Sequence, residues 1–67
     1  MDPLIRVYDL PESGGQLHLH GSQDGNVVSY GRLYDYSRQV YRELNVYEAS
    51  MAELSAQQVG VKQIDLK

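Results

Sequence analysis

The stretch from Tyr30 to Val59 limits what this chain can fold into more than any other part of it. It contains no proline, and no glycine after Gly31. Along it, Leu33, Tyr36, Val40, Leu44, Tyr47, Met51 and Leu54 recur at steps of three or four residues, the period of one helix face. The spacing predicts a long or kinked helical spine that packs this stripe inward. A competing reading divides the stretch in two. Asn45 is followed three residues later by Glu48, a capping-box arrangement, and Leu44 can serve as its hydrophobic staple, so a separate helix can start near Val46. Gly60 suits the left-handed residue that closes a helix.

The rest of the chain reads as short strands. Leu4 to Leu10 alternates, which predicts Ile5 and Val7 on one face and Arg6 and Tyr8 on the other. Pro11 stops it, and Ser13-Gly14-Gly15 supplies a turn. Gln16 to Gly21 alternates again, with Leu17 and Leu19 inward and His18 and His20 outward. Asp24-Gly25 is a strong hairpin signal, because both residues tolerate the positive φ of a tight turn. Asn26 to Tyr30 is the expected returning strand, and Val61 to Leu66 a closing strand with Ile64 and Leu66 on one face. The expected fold is one small α+β domain over residues 1–67. It has a mostly antiparallel sheet in the order β-β-β-α-β, one face covered by the helix and the other, with Arg6, Tyr8, His18 and His20, solvated.

Composition narrows the functional classes. A chain of 67 residues buries only about 60% of its unfolded surface and is marginal on core alone. Cysteine is absent, which removes disulfides and thiolate metal sites and fits a reducing, cytoplasmic setting. Phenylalanine and tryptophan are absent too, so six tyrosines must serve the core edge or an interface, where their hydroxyls find partners. That points to a protein partner or a homo-oligomer. A net charge of −3 opposes strong nucleic-acid or membrane binding. Arg6 and Asp9 interrupt the first apolar run, so no signal-peptide core forms.

Chemistry-bearing motifs are few. His18 and His20 share one strand face and could ligate zinc, but no cysteine or third histidine completes a site, so no metal and no cofactor are expected. Ser22, His20 and Asp24 are the residue types of a nucleophilic triad, yet a hairpin tip offers no pocket, and turn polarity accounts for them. Neither a P-loop nor a dinucleotide fingerprint is present. The chain reads as not an enzyme.

If residues 39–54 form two helices broken at Asn45, the unit resembles the helix-turn-helix of DNA-binding regulators. Val40, Leu44, Val46, Met51 and Leu54 fall at its apolar positions. The resemblance implies a small transcriptional regulator. Tyr41 replaces the small packing residue, however, and no Lys or Arg lies between Glu43 and Val61 to meet phosphates. More suggestive is Tyr34, Arg38 and Tyr41, with Arg42 beside them, on the flank of the expected helix. Tyr and Arg are enriched in binding hot spots. Tyr34, Arg38, Tyr41 and Arg42 are therefore the candidate protein interface of a non-catalytic binding module, such as an inhibitor, an adaptor or an assembly factor. A DNA-binding regulator and a homo-oligomeric structural protein are the alternatives.

Overall fold

The computed structural model describes residues 2–12 and 14–66; Ser13, in the expected first turn, lies outside them. The elements run β1 (Leu4–Leu10), β2 (Gly15–Gly21), β3 (Val28–Asp35), β4 (Val40–Leu44), α1 (Val46–Val59) and β5 (Gln63–Ile64). The strands form one sheet in the order β4-β3-β2-β1-β5, with every pairing antiparallel. α1 packs across one face, giving the α+β architecture that the strand pattern implies.

The first half of the expected helical spine is instead a hairpin, so the element order is β-β-β-β-α-β. β3 starts at Val28 and runs through to Asp35, past the expected end at Tyr30. From Tyr30 to Tyr36 the polar and aromatic residues Tyr30, Arg32, Tyr34 and Tyr36 alternate with Gly31, Leu33 and Asp35, a period of two. Tyrosine and β-branched residues favour the pleated surface. The turn after β3 is held by Asp35, whose Oδ1 accepts from Ser37 Oγ at 2.8 Å and from Arg38 N–H at 3.3 Å. Gln39 completes it with a φ of 57°. Leu33, Val40 and Leu44 then belong to the helix side of two strands, while Tyr36 packs on Tyr34 on the other side. Their three-to-four spacing fits a helix by coincidence. Residues 39–54 are thus a strand followed by one helix, which removes the helix-turn-helix geometry.

The second half does form a helix where the capping box places it. Asn45 Oδ1 accepts from Glu48 N–H at 2.8 Å, and Asn45 N–H donates to Glu48 Oε1 at 3.1 Å. Gly60, at φ 82°, closes α1 with its N–H on the Ala56 and Gln57 carbonyls.

β1 is turned over relative to its simple alternation. Leu4 pairs with His20, but Arg6 pairs with Leu19, so the register slips by one residue at Ile5. A one-residue slip moves every following side chain to the opposite face. Arg6 and Tyr8 therefore face α1, and Val7 faces away with His18 and Ile64. The closing strand is only Gln63–Ile64.

α1 is also turned over. Its inward residues are Ala49, Ala56 and Glu53, while Tyr47, Met51 and Leu54, expected in the core, are exposed. Small residues let the helix sit close to the sheet: a Cβ on Gly31 would lie 3.1 Å from the Ala49 Cβ. Under the middle of the helix, the Glu53 carboxylate receives Arg6 Nε and Nη2 (the latter at 3.1 Å) and the Tyr8 hydroxyl at 2.8 Å. Gln57 Nε2 donates to Tyr8 Oη at 3.2 Å, so the polar groups of Arg6, Tyr8 and Glu53 beneath the helix are paired. Around this network the core is Tyr8, Leu17, Leu19, Leu44, Ala49 and Ala56.

Candidate functional site

Alternation along four strands puts the polar and aromatic residues on the sheet face opposite α1. Cross-strand pairing fixes the rows: His20 opposite Tyr30, His18 opposite Arg32, Gln16 opposite Tyr34, and Tyr34 opposite Tyr41. The rings touch. His18 lies 4.5 Å from Tyr34, and His20 stacks on Tyr30 at 4.6 Å with 5° between the planes. Tyr34 meets Tyr41 at 5.4 Å and Tyr36 at 5.8 Å. Such cross-strand aromatic pairs stiffen the surface they form.

Arg32 stands at the centre of this face. Its guanidinium carbon lies 5.3 Å from the Tyr41 ring centre and 5.9 Å from that of Tyr30. Glu43, its cross-strand neighbour, approaches only to 4.0 Å, beyond hydrogen-bond length. Arg32 Nε is buried with no hydrogen-bond partner among the described residues. Burial, followed by the charges of His20 and Arg32, holds the His18 pKa below the ordinary histidine value, which favours a neutral ring.

The structure divides the four residues singled out from the sequence. Tyr34 and Tyr41 come together, on a sheet face rather than a helix flank. Arg38 sits in the β3–β4 turn, its side chain exposed and 3.6 Å from Asp35. Arg42 is on the opposite face, where its Nη2 donates to Glu48 at 2.8 Å at the start of α1. Sequence spacing missed His18, His20, Tyr30, Arg32 and Tyr36 as members of the same surface. The signal was the every-second-residue run Tyr30, Arg32, Tyr34, Tyr36, which a helical reading overlooks.

The other candidates fall elsewhere. His18 Nε2 is 3.0 Å from Gln16 Oε1, and His20 Nδ1 is 3.1 Å from the Asp2 carbonyl oxygen. Among the described residues no three His, Cys, Asp or Glu side chains form a metal-holding group. Ser22 Oγ donates to Asp24 at 2.6 Å and accepts from Val27 N–H at 3.0 Å, so Ser22 and Asp24 are tied up in their turn, away from a triad arrangement with His20. A groove of about 450 Å³ between Leu10 to Glu12 and Val59 to Lys62 is mainly apolar. Among the described residues no helix is long and apolar enough to cross a membrane.

Comparison with protein-family models, with curated proteins and with solved structures finds no match for this chain.

Proposed function

We propose that this protein acts by binding protein, without catalysis, and that the contact surface is the open sheet face. One observation carries the reading. Tyr30, Tyr34, Tyr36, Tyr41, His18, His20 and Arg32 stand side by side on a sheet face that α1 does not cover. Tyrosine and arginine are the residues that most often anchor protein interfaces. Tyrosine supplies contact area at low entropy cost, and its cross-strand neighbours already hold these rings in place. An inhibitor, an adaptor or an assembly factor needs no more than such a surface. A cytoplasmic setting belongs to the same proposal and rests on the cysteine-free composition.

Electrostatics favour protein over nucleic acid here. Apart from the histidines, the paired strands of the face set one arginine, Arg32, against two carboxylates, Asp9 and Glu43. Single-stranded nucleic acid also stacks on aromatic sheet surfaces, but it needs a positive groove along its phosphates. A second reading, with the partner on α1, is favoured by the exposure of Tyr47, Met51 and Leu54 on one helix stripe.

A capture experiment separates these readings. Immobilised wild-type chain is compared with Tyr34→Ser/Tyr41→Ser and with Met51→Ser/Leu54→Ser, each checked for folding by circular dichroism. Lysate is applied with and without nuclease. The proposal expects protein capture that the tyrosine variant loses, that the helix variant keeps and that nuclease leaves unchanged. Loss with the helix variant alone moves the interface to α1, and capture that nuclease abolishes returns nucleic acid as the partner.

A further inference from the structure

Resting on the reading that the open sheet face binds protein, we infer that its occupant is a second copy of this chain, the two sheets packing face to face about a two-fold axis along β2. The face is self-complementary. Arg32 lies on β3, to one side of β2, with Nε unpartnered among the described residues and Glu43 only at 4.0 Å. Asp9 lies on β1, to the other side of β2. Its carboxylate has no hydrogen bond or ion pair among the described residues, and its backbone N–H donates to the Lys62 carbonyl. The two residues occupy adjacent rungs of the same face, Val7–His18–Arg32 and Asp9–Gln16–Tyr34.

An axis along β2 lays β3 of one copy over β1 of the other. Each Arg32 then lies over the second copy's Val7 rung, one rung or about 7 Å along the strand from its Asp9 and within the length of an arginine side chain, and the contact occurs twice, as an isologous interface requires. The apolar content matches in the same way. The β1 side of the face is aliphatic, with Leu4 and Ile64 beside the already buried Val7, and the β3–β4 side is aromatic, with Tyr30, Tyr34 and Tyr41. The same axis sets aliphatic against aromatic. Strands of 7, 7, 8, 5 and 2 residues, about 4.8 Å apart and rising ~3.3 Å per residue, give a face of about 460 Å² in plan before side-chain relief. That is a little over half of the ~800 Å² that each partner of a standard interface contributes, so the contact sits at the small end of the range. The resulting four layers would place both sheets inside and both helices outside.

Sedimentation equilibrium on the full 67-residue chain at neutral pH tests this. The wild type is expected to dimerise at micromolar concentrations. Arg32→Asp and Asp9→Arg should each weaken the dimer by about tenfold or more, since each sets like charges against one another. The double variant Asp9→Arg/Arg32→Asp, which restores opposite charges across the axis, should recover most of the wild-type affinity. Circular dichroism and thermal melts establish that all three remain folded, and Met51→Asp, on the outer face of α1, should dimerise as the wild type does. A wild type that stays monomeric up to millimolar concentration overturns the inference. So do single variants that dimerise normally, a double variant that does not recover, or a dimer broken only by Met51→Asp. If the chain is monomeric but captures another protein through Tyr34 and Tyr41, face binding stands and the second-copy assignment alone fails.

Discussion

Glu53→Ala should destabilise the folded chain by about 3 kcal/mol, while Leu54→Ala, one residue on, should change stability by about 0.5 kcal/mol or less. The contrast follows from the orientation of α1. Glu53 is 9% exposed and holds Arg6 and Tyr8, whereas the neighbouring leucine is 51% exposed. Removing one partner of a buried pair leaves the other charge without compensation, at a cost of roughly 3–5 kcal/mol. The lower figure applies because the Arg6 side chain keeps about a quarter of its exposure. Acid should act on the same latch. Burial pushes the Glu53 carboxyl up, but hydrogen bonds from Arg6 and Tyr8, with the Arg6 charge, push it further down, so it lies below the ordinary glutamate value. A depressed folded pKa stabilises the fold above the unfolded value, near pH 4, and that contribution is lost as the pH falls through the folded value. Glu53→Gln should therefore flatten the acid limb of a stability-against-pH curve obtained by urea denaturation. Equal costs for Glu53→Ala and Leu54→Ala would mean that the helix packs by its other stripe.

Leu19→Ala should cost about 2–5 kcal/mol, a large share of the stability available to a domain of this size. Leu19 is fully buried in β2, opposite Gly31, and its Cδ2 would lie only 3.3 Å from a Cβ at that glycine. Sheet and helix meet there through glycine and alanine, so no larger neighbour can move in to fill the space that the leucine leaves. A urea midpoint close to that of the wild type would place the core elsewhere.

The sequence makes part of this architecture readable. β2 follows its alternation, with Leu17 and Leu19 inward and the histidines outward. The Asp24–Gly25 turn, the Asn45–Glu48 capping box and the Gly60 terminator are local signals, each carried by side chains within a few residues, and each forms. Two features cannot be read that way. The slip at Ile5 is a pairing property of two strands, and nothing in Leu4 to Leu10 marks it, yet it decides that Arg6 and Tyr8 meet Glu53. The stretch from Leu33 to Leu44 satisfies a helical period and a strand period together, and strand pairing with β2 settles the competition in the sheet's favour. The candidate surface inherits this ambiguity. A helical reading finds Tyr34 and Tyr41 but joins them to Arg38 and Arg42, whereas a strand reading joins them to His18 and Arg32.

The tyrosines offer the most direct measurement, because the fold divides them cleanly. Tyr8 is in the core, Tyr30, Tyr34, Tyr36 and Tyr41 line the open sheet face, and Tyr47 is on the outer side of α1 at 72% exposure. Ring resonances of ¹³C-tyrosine-labelled protein can be followed by NMR from dilute to concentrated solution. If the open sheet face is the contact surface and a second copy occupies it, Tyr30, Tyr34 and Tyr41 shift together and saturably while Tyr47 stays fixed; a chain that binds another protein shows the same pattern only when that partner is added. Movement of Tyr47 with the sheet tyrosines unchanged would contradict the account.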